Sequence, residues 1–430
     1  MSRPLILGVA RLDCLTSYFT LTCKKLPLVP DLISETPRMR VGVEACTWAN
    51  RRGYGRFTRE LVSTMVTRHP QHRFVLVVDS HTARECLFPA GTETVVVDTA
   101  AQPTKAAAAD GSRSLQDVWR MSRALANARF DVVLFPTRYT FVPMLRRTPV
   151  VLTIHDATDV KHPRLLFPTW RSRLLWKMKS QLAIRRADRI VTVSNDARRQ
   201  IAAAFGLREA SIAVVSEGPD AVFRPRPGDS AVERIRDRYQ LPRAENLILY
   251  VGGISPHKNL DTLLRAAAIV RKSEPGGWHM VLVGDYQGDS FLGCYRELSV
   301  LARALAIADV ITFTGFVPDD DLALLYNAAT LLALPSKGEG FGLPVVEAMA
   351  CGLPVIASNR NSLPEVLGGA GMLFDPDSDQ ALAACILRLL REPALRADLR
   401  ARGLDRARAY TWDAGADTMV CVLEDAAARR

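Results

Sequence analysis

From Met39 onward, short runs of β-branched and aliphatic residues alternate with longer amphipathic segments, and the whole alternation then starts again. The first pass offers strands at 40–44, 73–78, 94–97, 132–135, 150–154, 189–193 and 212–215, with helical patterns such as 56–68, 115–128 and 170–187 between them. Such runs lack a polar face, so they need cover on both sides, which a parallel sheet between layers of helices supplies. A Pro/Gly-containing stretch, 223–246, intervenes. Strands then recur at 247–251, 279–283, 310–313, 331–334 and 355–357, separated by helices at 261–271, 320–327, 344–350 and 380–390. The pattern predicts an α/β fold of two facing, doubly wound Rossmann-like units, 39–222 and 223–411, with a seam near residue 222. Ligands of such sheets bind beyond the carboxyl ends of the strands, so the cleft between the units is the expected site. The last segment, 412–430, is expected to be a helix that packs back across the seam.

A chain of 430 residues exceeds what one core usually organises, which agrees with two units. Its 48% hydrophobic and 23% charged residues exclude a disordered or fibrous protein. No apolar run reaches the roughly 20 residues that a spanning helix needs. Leu5 to Cys23 is mildly apolar but is interrupted by Arg11 and Asp13, and no small-residue cleavage site follows, so no signal peptide is expected. Residues 1–38 read as an N-terminal extension, disordered or begun at an upstream start codon. The eight cysteines are scattered without a CxxC, as expected of reduced thiols in a cytoplasmic protein. A formal charge of +11 favours acidic partners: nucleic acid, anionic headgroups or pyrophosphates. Charge alone does not choose among them. No RNP-like strand, helix-turn-helix or basic stripe with stacking aromatics is evident, so no nucleic acid is expected.

The most specific local signal is Glu339-Gly340-Phe341-Gly342-Leu343-Pro344-Val345-Val346-Glu347, directly after the strand at 331–334. Pro344 suits the first turn of a helix, where its missing N–H costs nothing. The amides of Gly340 to Leu343 are then expected at a helix N-terminus, a ready anion site, with Gly340 and Gly342 allowing close backbone approach. Glu339 falls at the mouth, placed to accept from sugar hydroxyls, and Glu347 lies about one turn into the helix, placed to hold a ribose. A helix start decorated with acidic residues is the plainer reading of either glutamate alone.

The run from Glu339 to Ser358, followed by Asn361-Ser362-Leu363-Pro364-Glu365-Val366, resembles the signature of glycosyltransferase family 4, the "group 1" retaining enzymes of GT-B fold. The resemblance covers nearly all of 40–415 and is nearest the mannosyltransferase-like subgroup. Gly53-Tyr54-Gly55-Arg56-Phe57 resembles the family's glycine-rich loop, His155-Asp156 its acceptor-side histidine, and Gly252-Gly253 through Pro256-His257-Lys258 its phosphate loop.

The resemblance implies a nucleotide-sugar donor, GDP-mannose favoured, and a glycan or lipid-linked acceptor in polysaccharide or glycoconjugate synthesis. Glu339, His155 and Lys258 are the implied catalytic residues. Gly53, Gly55, Arg56, Gly253, His257, Lys258, Val317, Gly340, Phe341, Gly342, Leu343 and Glu347 are the implied donor contacts. Lys258 would neutralise the donor diphosphate, the task a metal ion performs elsewhere. The arginine that often precedes this lysine is missing, so His257 or Arg56 compensates or the phosphate is held more weakly. Gly53 and Gly55 either let a loop close over the donor or make a tight strand–helix turn. Gly315-Phe316-Val317 ends a strand where family members contact the base, and Glu365 reads as structural.

Asp319-Asp320-Asp321 superficially matches metal-binding aspartates, but its place at a helix start makes these residues caps, and no catalytic metal is expected. Retention without two carboxylates flanking the bond points to a same-face mechanism in which the leaving phosphate takes the acceptor proton. From Arg164 to Arg186, Trp170, Leu174, Leu175 and Trp176 mix with six further basic residues. Two readings stay open: a helix lying on anionic lipid at the inner face of a membrane, and a surface helix whose tryptophans face the core. Rival functions are a sugar-nucleotide epimerase or phosphorylase of the same architecture, or a basic nucleic-acid-binding protein.

Overall fold

The computed structural model describes residues 39–50, 53–100, 114–161, 163, 167, 169–286 and 294–429. The expectation for residues 1–38, and Arg164 at the head of the basic segment, lie outside the described residues.

Seven strands form the first sheet: β1 (Arg40–Glu44), β2 (Arg73–Asp79), β3 (Glu93–Val97), β4 (Val132–Phe135), β5 (Val150–Thr153), β6 (Arg189–Thr192) and β7 (Ile212–Val214). All pair in parallel, in the order β3-β2-β1-β4-β5-β6-β7. Along β4, Val132 and Leu134 join one core cluster while Val133 and Phe135 join the other, so the strand is apolar on both faces as a covered parallel sheet demands. The second sheet holds β8 (Asn246–Val251), β9 (Trp278–Val283), β10 (Ile311–Gly315), β11 (Leu331–Leu334), β12 (Val355–Ser358) and β13 (Met372–Phe374), in the parallel order β10-β9-β8-β11-β12-β13. Strand order reverses between β1 and β4 in the first sheet and between β8 and β11 in the second. These are the switch points where doubly wound sheets open a crevice.

Several elements escape the sequence pattern, helices Tyr295–Ala304 and Pro393–Ala407 among them, and two show why. β13 is three residues long at a sheet edge and only partly buried, so it carries too little periodicity to announce itself. Helix Ser230–Arg238 lies inside the stretch read as a connection; it buries only Ile235 among mostly charged residues, and Asp229 caps it by accepting from Ala231 N at 2.8 Å.

The final helix, Trp412–Ala428, packs against the first helix, Gly53–Arg68. Its Trp412, Met419, Val420 and Leu423 enter the same core cluster as Phe57, Leu61 and Met65. Arg68 also pairs with Asp413 and Asp417 on this contact. These pairs are exposed and worth at most about 1 kcal/mol each, whereas each large buried apolar side chain contributes about 1.5–3 kcal/mol. Apolar burial therefore docks the helix. No helix among the described residues is long and apolar enough to cross a membrane.

Candidate active site

The loops that follow the strand ends at the two switch points carry most of the residues singled out above. After β11, the chain runs through Glu339 to helix Leu343–Ala350, which opens on Gly342 in the left-handed region at φ 100°. That positive φ favours glycine, and a Cβ there would also stand 2.7 Å from the Leu363 Cδ2 methyl. After β8, a short 3-10 turn, Pro256–Lys258, delivers Lys258, whose Nζ donates to Glu339 Oε1 at 2.7 Å. The expected phosphate-neutralising lysine and the expected sugar-binding glutamate are thus partners across the switch point of the second sheet.

Glu347 lies one turn into its helix and is 1% exposed. Tyr326 Oη donates to its Oε2 at 3.0 Å, and the Arg56 guanidinium pairs with its Oε1. The same guanidinium pairs with Asp319 and lies 5.5 Å over the Phe223 ring. Burial alone would disfavour the charge on Arg56, but Glu347 and Asp319 outweigh it and hold the group above its ordinary pKa. Burial pushes the Glu347 carboxyl up, against the pull of Arg56. Arg56 belongs to the first unit and both carboxylates to the second, so this buried pair is a clasp across the seam. The resemblance implies that His257 or Arg56 compensates at the donor diphosphate and that Glu347 meets the ribose. The structure places Arg56 and Glu347 on each other.

The seam is also closed by backbone contact. Ser194 Oγ donates to Gly340 O at 2.7 Å, and a Cβ on Gly340 would stand 2.4 Å from the His155 carbonyl oxygen. Glu365 accepts from Asn195 N, Asn195 Nδ2 and Asp196 N, so its carboxylate caps helix Asn195–Phe205 from the other unit. Gly340→Ala is expected to force this contact apart. Its melting temperature should fall, and accessibility of the His155–Gly340 seam to hydrogen exchange should rise; unchanged protection would mean the close approach is absent in solution.

His155, after β5, has both ring nitrogens facing protein groups. Nε2 lies 3.0 Å from Pro136 O and Nδ1 lies 3.8 Å from Glu217 Oε1, while the Phe57 ring meets the imidazole edge-on at 4.7 Å. Gly55 sits in the first turn of its helix, where a Cβ would stand 2.0 Å from Asn50 O, a close approach that suits a tight strand–helix turn; Gly53, two residues earlier at the helix start, has open space around it. Gly253 O accepts from Tyr250 Oη, and His257 Nδ1 lies 3.3 Å from Ser255 Oγ. Val317, Phe341 and Leu343 are buried, Phe341 edge-on to Tyr410, leaving only their backbones to meet a ligand.

Asp319 to Asp321 open helix Asp319–Ala328, but the cap position is Pro318 and no side chain caps it. The expectation that these aspartates are caps is therefore corrected. Asp319 pairs with Arg56, and Asp321 accepts from Arg238 Nη1 at 2.6 Å and Tyr239 Oη at 2.7 Å. They face cations from other elements instead of their own helix amides. Among the described residues no three His, Cys, Asp or Glu side chains converge as a metal site. Asp319, Tyr326, Glu217 and Ser194 join the site without having been singled out for it. Each is an ordinary residue in sequence, and only Asp319 stood in a conspicuous run.

Residues 51–222 match the family description "Glycosyltransferase Family 4", and residues 231–406 match "Glycosyl transferases group 1". The O-antigen chain mannosyltransferase B of Escherichia coli is 34% identical over 265 residues, which cover 61% of this chain and 67% of that one. The chain belongs to the group 1, family 4 glycosyltransferases. Another relative, the D-inositol 3-phosphate glycosyltransferase of Thermomonospora curvata, is 34% identical over 285 residues, covering 65% of this chain but 66% of that one. The match to this glycosyltransferase thus spans slightly less than two thirds of its length. Anabaena HepE, solved in complex with UDP-glucose, aligns with a TM-score of 0.68 at 18% identity, over 90% of this chain and 100% of that one. At that identity the likeness speaks for the fold, and the two parallel sheets described above form a GT-B glycosyltransferase architecture.

Proposed function

We propose that this chain is a retaining, metal-independent hexosyltransferase that moves a mannose-like sugar from GDP-mannose or another nucleotide sugar to a hydroxyl of a glycan or lipid-linked acceptor. The observation that carries the reading is the Lys258–Glu339 pair at the second switch point, joined through Gly340 to the His155 side of the first unit. A fixed cation beside a helix N-terminus is what a departing nucleoside diphosphate needs when no metal ion supplies that charge. The E. coli relative is a mannosyltransferase, which favours mannose, and the HepE complex keeps a uridine donor open.

Retention by double displacement needs two carboxylates roughly 5 Å apart across the scissile bond. Glu339 is committed to Lys258, and Glu347 is buried between Arg56 and Tyr326. Neither is placed as a free nucleophile, which supports a same-face transfer with the donor phosphate taking the acceptor proton. A trapped glycosyl adduct on Glu339, or an inverted product, would defeat this mechanism.

The test is a thermal-shift panel of GDP-mannose, UDP-glucose, UDP-N-acetylglucosamine, ADP-glucose and the free nucleotides, all with EDTA. Stabilisation by one nucleotide family, persisting in EDTA and weakened by Glu347→Ala, is the expected result. Absence of both shift and turnover across the panel would overturn the reading.

The lipid-linked form of the acceptor draws support from helix Trp170–Arg186. Trp176 turns inward, stacked on Tyr139 and Phe167 and donating to Asp159 Oδ2 at 2.5 Å. Trp170, Leu174, Leu175, Met178 and Leu182 are all exposed, Leu175 at 66%. The helix carries no acidic residue, and Arg171, Lys177 and Arg185 are exposed among these apolar groups. The two sequence readings each describe part of the helix: one tryptophan faces the core, and the other side is apolar, cationic and open. Vesicles rich in phosphatidylglycerol are expected to sediment the protein while phosphatidylcholine vesicles do not. Trp170→Ser with Leu174→Ser and Leu175→Ser should weaken that binding tenfold or more without unfolding the chain, since each exposed apolar side chain contributes about 1 kcal/mol or more when buried in lipid. Equal binding to both vesicle types would remove the membrane from the proposal.

A further inference from the structure

Glu217 lies between β7 and the second unit and is 4% exposed. Among the described residues its one ion-pair partner is His155, Nδ1 to Oε1 at 3.8 Å. The segment around it is fixed from behind by the final helix. A Cβ on Gly218 would stand 2.7 Å from Trp412 N, and one on Gly415 would stand 2.4 Å from Ser216 O. Phe57 wedges between, edge-on to His155 and 6.1 Å from Trp412. Both partners are therefore held in place by packing and not merely adjacent.

The hydrogen-bond chemistry of the imidazole restricts what the pair can be. A carbonyl oxygen only accepts, so the contact with Pro136 O requires the proton on Nε2. A neutral ring then turns the Nδ1 lone pair toward a buried carboxylate, which is repulsive. The contact is favourable only when one further proton lies between Nδ1 and Glu217, as imidazolium with carboxylate or as neutral ring with carboxylic acid.

We propose that Glu217 is a positioning residue that shares one proton with His155, so that His155 presents an Nδ1–H, and not a lone pair, to a sugar oxygen in the cleft. This rests on the glycosyltransferase reading above. At 3.8 Å the contact is longer than a direct hydrogen bond, which leaves the Nδ1 proton free to serve a substrate oxygen as well. Burial pushes the Glu217 carboxyl up, with His155 opposing and Glu339 reinforcing the shift. The charged groups that bear on the pair are Glu339, itself bound by Lys258, Arg56 in its clasp, and Asp156 next in sequence to His155.

Glu217→Gln tests the assignment because it keeps the side-chain size while its amide donates to Nδ1 and fixes the neutral ring. In chain labelled with 15N-histidine, with His155→Gln identifying the signal, the ring nitrogens of His155 are expected to titrate at lower pH in Glu217→Gln than in the parent chain, by one unit or more. In steady-state transfer, kcat at neutral pH should fall tenfold or more, about what one charge-assisted hydrogen bond contributes. The alkaline limb of the pH profile should move to lower pH with it. Glu217→Asp, which keeps the carboxylate, should preserve the coupled titration if Glu217→Gln fails to fold. An unchanged nitrogen titration, or a loss of activity equal at every pH, overturns the proposal. If the parent chain transfers no sugar from any donor, the catalytic half falls together with the glycosyltransferase reading, and the nitrogen titration still decides whether the pair shares a proton.

Discussion

Arg56→Ala is expected to cost about 3 kcal/mol of stability, far more than the loss of a surface ion pair, because it strips the buried Glu347 of its cation. For a unit of this size that is a fall in melting temperature of roughly 6 °C or more. The loss should depend on pH in a definite direction. Burial already raises the folded-state pKa of Glu347, and removal of Arg56 raises it further. A carboxyl raised in the folded state contributes stability that is fully present below its unfolded pKa and is lost as pH climbs through the folded value. The deficit of Arg56→Ala should therefore be smallest below the unfolded carboxyl value of about 4.3 and grow as pH rises above it. Glu347→Gln added to Arg56→Ala should recover most of the deficit, since the amide can still accept from Tyr326 without burying a charge. Denaturant unfolding of the four members of this cycle at two pH values is the measurement. A deficit under about 1 kcal/mol and flat with pH would mean that the clasp stands open in solution.

Lys258→Ala is expected to lower kcat/KM for the donor by about 10²–10³, the scale on which a preorganised cation aimed at developing charge acts. Lys258 is held at Glu339 Oε1, so the charge is already in place when the diphosphate leaves. Lys258→Arg keeps the charge but changes its shape and reach, and should fall between the parent and alanine. Added magnesium should not rescue either variant. Rates of donor turnover, with and without EDTA, decide the matter. A Lys258→Ala variant within threefold of the parent would remove the lysine from the leaving-group role.

The sheets were legible in the sequence because buried parallel strands must be apolar on both faces, and twelve of the thirteen strands were long or β-branched enough to show it. The nonapeptide from Glu339 to Glu347 placed a strand–loop–helix junction correctly because Pro344 and two glycines report on backbone geometry that any fold must respect. The same local logic failed at Asp319 to Asp321. Acidic residues at a helix start suit the dipole, but nothing within ten residues reveals that Arg56 and Arg238 will come from elsewhere to meet them.

What the sequence by itself determined was the α/β fold with its two parallel sheets, the family, and the loops that follow the strand ends at the switch points, since each rests on periodicity or on a contiguous motif. Only the tertiary structure decided which charges neutralise which. Arg56 meets Glu347 across 291 residues of chain, Lys258 meets Glu339 across 81, and Glu217 meets His155 only because the final helix packs behind it. Backbone propensity is local, whereas the pairing of buried charges depends on which groups lose water together, and that is fixed when the two sheets dock.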